Sequence, residues 1–130
     1  MKAIIIFIVA LLMSACEYEK AADEVQVVEV CDTTTVSYSN TIVPIIQTNC
    51  YSCHSTAVTS GQGGLDLENY SLFRSYLNNT FQGNGIFGSQ FYHSVNKSIG
   101  ALPMPPGNDK LSDCDLAKIR VWIRQGGLNN

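Results

Sequence analysis

The chain has 130 residues, 45% of them hydrophobic, with a formal net charge of −3. That length supports one compact core and leaves no room for a second domain. From Ser37 onward Asp66, Glu68, Asp109, Asp113 and Asp115 face Arg74, Lys97, Lys110, Lys118, Arg120 and Arg124; without a basic stripe to displace counterions from phosphates, nucleic acid is excluded as a partner.

The N-terminus reads as an export signal over residues 1–15. Lys2 supplies the charged start, and residues 3–13 are an apolar run too short to span a bilayer. Leu12-Met13-Ser14-Ala15-Cys16 resembles the lipobox of bacterial lipoproteins. That resemblance implies cleavage before Cys16 and lipid on its thiol and new amino group, with Met13 standing where leucine is commoner. The mature chain is therefore expected outside the cytoplasm, lipid-anchored on the periplasmic side of a membrane or at the cell surface. Residues 16–36 follow as an acidic tether in which Glu17, Glu19, Asp23, Glu24, Glu29 and Asp32 are opposed by Lys20 alone, because like charges keep such a segment extended. Within it, the valines of residues 25–30 favour extended backbone that can lie as a strap against the domain.

The folded domain is expected over residues 37–130. A helix is predicted over residues 40–50, capped by Asn40 or Thr41, with Pro44 at the edge of its first turn, where a missing N–H costs little. It leads straight into Cys50-Tyr51-Ser52-Cys53-His54, a C-x-x-C-H sequence of the kind that attaches haem. In a helical turn the two thiols reach the two vinyl groups of one porphyrin, and the next residue, His54, presents its imidazole to the iron. Two other readings use the same cysteines. A thioredoxin-like redox pair needs a strand running into the first cysteine, where this chain reads as helix. A zinc knuckle needs more ligands than the isolated Cys31 and Cys114 offer.

Residues 61–64 form a Gly-rich turn, and Leu65-Asp66-Leu67 is expected to be extended or packed on the ring. A second helix is predicted over residues 71–77, burying Leu72, Phe73, Tyr76 and Leu77. Residues 78–88, rich in Asn and Gly, read as loop, and a short helix over residues 89–95 carries His93. Ala101-Leu102-Pro103-Met104-Pro105-Pro106-Gly107 then mounts a thioether between prolines, which hold it with little entropy to lose. Met104 is the expected distal iron ligand and the last methionine left once a signal is removed. His93 is the alternative, giving a bis-histidine haem of lower potential, although a place on the helix surface suits it better. The final helix starts at Ser112, with Asp115 completing a capping-box-like pair. Leu116, Ile119, Trp122 and Ile123 form its apolar face, its acidic start and basic end suit the helix dipole, and Gly126-Gly127 ends it.

Cysteine parity agrees with these assignments. Lipid takes Cys16 and haem takes Cys50 and Cys53. Cys31 and Cys114 remain, an even pair in an oxidising compartment, so a Cys31–Cys114 disulfide pinning the tether to the last helix is expected.

Taken together, Pro44-Ile45-Ile46, Cys50 to His54, Gly63-Gly64-Leu65-Asp66-Leu67, Met104-Pro105-Pro106 and Trp122-Ile123-Arg124-Gln125-Gly126 make residues 37–127 resemble a class I type cytochrome c domain, closest to the planctomycete-type subfamily. The resemblance implies an all-α bundle of about four short helices around one covalent haem c, the first and last crossing at one haem edge. It implies Cys50 and Cys53 as attachment sites, His54 as proximal ligand and Met104 as distal ligand. The expected function is a single-electron carrier, not an enzyme, exchanging electrons with redox partner proteins, alone or as one subunit of a larger respiratory complex. An open or labile distal site doing peroxide or gas chemistry is the enzymatic alternative.

Overall fold

A computed structural model describes residues 30–59, 64–79, 88–107 and 109–130. The expected signal, Cys16, the tether as far as residue 29, the first three residues of the Gly-rich turn and residues 80–87 of the expected loop lie outside the described residues. Every regular element among the described residues is helical, so the fold is all-α.

The first helix begins earlier than expected and is capped by a different residue. The hydroxyl of Ser37 accepts from the Asn40 N–H, and the chain enters a π-helical turn, Tyr38–Ile42. Two wide bonds close that turn, from Ile42 N–H to the Ser37 carbonyl and from Val43 N–H to the Tyr38 carbonyl. Pro44, which has no N–H to continue the ladder, stands where this turn meets α1, Val43–Asn49. Helix α2, Tyr51–His54, follows directly after Cys50. Helix α3, Tyr70–Leu77, is capped by the Asn69 side chain, and α4, Gln90–Val95, is a turn and a half.

Helix α5, Asp113–Arg124, has the cap its sequence announces. The Ser112 hydroxyl accepts from the Asp115 N–H at 3.0 Å, Asp113 and Asp115 occupy the first turn, and Leu116, Ile119, Trp122 and Ile123 are buried. Gly126 and Gly127 end it at φ +94° and +61°. A Cβ at Gly127 would also stand 3.0 Å from Leu77 Cδ1, so the positive φ favours glycine there and a larger residue would make the Leu77 side chain shift by a few tenths of an ångström.

An aromatic series fills the core. Tyr70 meets Tyr38 edge-on at 4.9 Å, Tyr38 stacks on Trp122, Trp122 on Phe73, and Phe73 meets Phe91 edge-on at 4.8 Å. Trp122, Phe73, Ile42 and Ile119 are fully buried, and large rings of this kind dominate the apolar area that a small domain removes from water. Helix α5 meets the π-helical turn, Tyr38–Ile42, and α4 packs against both α3 and α5. On α3 the buried side is Phe73 and Leu77; Leu72, expected inside, is 51% exposed. An eight-residue helix facing α4 needs only one narrow stripe, and Leu72 lies off it.

The polar ends are tied down as well. Trp122 Nε1–H donates to the Leu128 carbonyl, Tyr70 O–H to the Gly127 carbonyl, and Tyr38 N–H to Asn130 Oδ1. Cys31 and Cys114 are joined by a disulfide across 83 residues, with their Cα atoms 5.3 Å apart. Cys114 is the second residue of α5, so the bridge fastens the segment before the domain to the start of the last helix.

Candidate functional site

The C-x-x-C-H sequence lies where α1 gives way to α2. The Cys53 and His54 N–H groups both bond the Cys50 carbonyl, at 3.1 and 2.9 Å, so one tight turn carries all three side chains. Cys50 and Cys53 are free thiols, each partly exposed. Burial pushes the Cys50 thiol up to about 11, and a thiol held protonated at neutral pH is a poor thiol–disulfide reagent. The element entering Cys50 is helix, whereas a thioredoxin-like pair requires a strand there.

His54 is oriented by the segment that follows the Gly-rich turn. Its Nδ1 lies 2.9 Å from the Leu65 carbonyl. A carbonyl only accepts, so Nδ1 carries the proton, and in the neutral ring Nε2 keeps its lone pair for a metal. The Leu67 N–H returns a bond to the His54 carbonyl, also at 2.9 Å. Between those leucines Asp66 is buried, its carboxylate accepting from the Thr56 hydroxyl and from the Glu68 and Asn69 N–H groups.

A mostly apolar cavity of about 370 Å³ opens beside this turn, within the size range of ligand sites. Cys50, Cys53 and His54 form part of its wall with Leu65 and Leu67; α3 adds Tyr76, α4 adds Phe91, Ser94 and Val95, and Leu102, Met104, Pro105 and Pro106 complete it. The Met104 loop is pinned at two points. The Met104 N–H donates to the Ser94 carbonyl at 3.0 Å, and Lys97 Nζ reaches across to the Gly107 carbonyl. Lys97 adopts φ +53° where α4 ends, which turns the chain into that loop.

Four of the candidate residues, Cys50, Cys53, His54 and Met104, thus border one space. His93 does not: its neighbours Ser94 and Val95 form the wall, while His93 is half-buried beside Tyr92, with ring centroids 6.2 Å apart, not spread on the surface as expected. Cys31 and Cys114 are bridged elsewhere, and Cys16 lies outside the described residues. Among the described residues no three His, Cys, Asp or Glu side chains converge as a metal-ion site. Three contributors went unforeseen. Tyr76 and Phe91 lie on expected helices, but which cavity they face depends on tertiary packing. Asp66 does carry a sequence signal, a carboxylate between two leucines directly after a Gly-rich turn.

No protein-family model, curated protein or solved structure matches the chain. No helix among the described residues is long and apolar enough to cross a membrane.

Proposed function

We propose that the chain is a c-type cytochrome with a cytochrome c-like fold, a single-electron carrier whose one haem is attached through Cys50 and Cys53 and ligated by His54 and Met104. The observation that carries this reading is that those four side chains border a single apolar cavity although His54 and Met104 are separated by fifty positions in the chain. The donor set fits the group: two uncommitted thiols on one turn, an imidazole with its Nε2 lone pair available, and a thioether mounted on a pinned loop. A haem held there supplies a one-electron iron couple.

The chain's own residues set the conditions for that couple. Cys50 and Cys53 hold the group covalently, the Leu65 carbonyl fixes the imidazole tautomer, and the Ser94 carbonyl fixes the height of the Met104 backbone. Leu65, Leu67, Phe91 and Val95 keep water away and disfavour the extra charge of the oxidised iron, which raises the reduction potential together with a thioether ligand. No nucleophile or general base is needed. Export and lipid on Cys16 complete the proposal: the carrier is tethered to a membrane outside the cytoplasm and exchanges electrons with redox partner proteins.

The test is the visible spectrum, oxidised and reduced, of the chain and its Met104→Ala variant, both made with haem-maturation genes present. A c-type reduced spectrum, together with a weak red-edge thioether-to-iron band of the oxidised form that disappears in the variant, supports the reading. A band unaffected by the substitution removes Met104 as ligand.

A further inference from the structure

We infer that Asp66 is a positioning residue for the His54 imidazole, acting through the Leu65 carbonyl; this rests on the haem reading above. Asp66 is 6% exposed, between Leu65 and Leu67, and a charge so placed persists only when its oxygens are bonded. Its partners are all neutral donors. Oδ2 accepts from the Thr56 hydroxyl at 2.8 Å, and Oδ1 accepts from the Glu68 and Asn69 N–H groups at 2.9 and 3.0 Å.

These partners lie on two different flanks. Thr56 is two residues past His54, and its N–H is also held by the Glu68 carboxylate at 3.0 Å. Asn69 is the cap of α3. Asp66 therefore fastens residues 65–67 both to the turn that carries the imidazole and to the helix that lines the cavity. Two residues of the same segment engage His54 on both sides, Leu65 accepting from Nδ1–H and Leu67 donating to the His54 carbonyl. At 2.9 Å the Nδ1–H bond tolerates only a few tenths of an ångström before it weakens. The Leu65 carbonyl is backbone in an irregular segment, with no helical ladder of its own to hold it. The carboxylate one residue later holds it instead, and the acceptor on Nδ1 sets both ring orientation and donor strength toward a metal.

The experiment follows exchange of the His54 Nδ1–H proton with deuterium by NMR in the reduced, haem-loaded chain. It compares the unaltered protein with Asp66→Asn, Asp66→Ala, Thr56→Val and Leu111→Ala. Leu111 is buried and outside the cavity wall, so its variant lowers stability without touching the clamp. Asp66→Ala is expected to accelerate exchange by roughly fivefold, the scale set by the net worth of one hydrogen bond. Asp66→Asn keeps the acceptor for the two N–H groups and is expected to stay near the unaltered rate. Thr56→Val removes only the hydroxyl bond to Oδ2 and leaves the carboxylate with its two N–H donors, so it is expected to give a smaller acceleration. Unchanged exchange in both Asp66→Ala and Thr56→Val overturns the inference, as does equal acceleration in Leu111→Ala or equal loss in Asn and Ala variants. Absence of haem from the unaltered chain overturns the cytochrome reading itself, a result visible before any exchange is measured.

Discussion

The ring of Tyr38 stacks on the ring of Trp122, centroids 5.5 Å apart and planes 23° from parallel, joining the first turn of the domain to its last helix. The Tyr38 N–H continues that junction to Asn130 Oδ1 at 2.9 Å. Trp122 also stacks on Phe73, so its removal opens the centre of the aromatic series. Trp122→Ala is expected to destabilise the domain by about 3–5 kcal/mol, read from urea unfolding, with Trp122→Phe costing less. A loss well under 1 kcal/mol for the alanine variant would show that the two ends are held by something else.

The Cys31–Cys114 bridge closes a loop of 83 residues. In the chain-entropy view such a loop stabilises by about 4.5 kcal/mol. Replacing both cysteines by serine is therefore expected to lower the unfolding midpoint substantially while leaving the visible spectrum of the haem-loaded protein unchanged, since neither residue lines the cavity. A spectrum that shifts with the bridge would place the bridge within the site's own machinery.

Stability is expected to fall at both ends of the pH range, for different residues. Burial pushes the Asp66 carboxyl upward, but the Thr56 hydroxyl and the Asn69 and Glu68 N–H groups outweigh it and leave the pKa below its ordinary value of 3.8. The unfolded chain then takes the proton first. This contribution is whole above about pH 4 and disappears as pH falls through the folded pKa. Burial, with the Tyr51 and Tyr70 phenols adding to it, raises Tyr38 from 10.0 to about 12. Here the sign reverses: the contribution is whole below the unfolded pKa and is lost as pH rises through the folded one. Melting temperature followed against pH should show the acid limb flattened in Asp66→Asn and the alkaline limb flattened in Tyr38→Phe. Limbs that keep their slopes would assign the two losses to other groups.

His93 lies outside the cavity wall that contains Met104. His93→Ala is accordingly expected to retain the oxidised and reduced spectra of the unaltered chain, whereas Met104→Ala is expected to lose the red-edge band. A red-edge band absent from the unaltered chain, with spectra altered by His93→Ala and not by Met104→Ala, would make the imidazole the distal ligand.

Much of this arrangement was legible from local chemistry. Ser112 and Asp115 specify the start of α5, the spacing of Leu116, Ile119, Trp122 and Ile123 specifies its buried face, and the glycines specify its end, because each is a short-range requirement. The C-x-x-C-H turn and the Pro-flanked Met104 are local as well. What was not legible depends on distant partners. Tyr38 draws the first helix back to a Ser37 cap because Trp122, far along the chain, stacks on it. Leu72 is exposed because the packing stripe of α3 is set by α4 and α5. Asp66 became intelligible only once Thr56 and Asn69 were seen on either side of it, and the helical period alone does not tell which of the α3 and α4 aromatics, Tyr76 and Phe91 among them, turn toward the cavity.

The most direct test of the cytochrome reading is the intact mass and visible absorbance of the purified chain after complete unfolding, made with haem-maturation genes present. The expected result is a mass higher by one haem, with haem absorbance that stays with the unfolded polypeptide and disappears from a Cys50→Ala, Cys53→Ala variant. A chain recovered without haem, whose Cys50 and Cys53 thiols both remain open to alkylation, would contradict it.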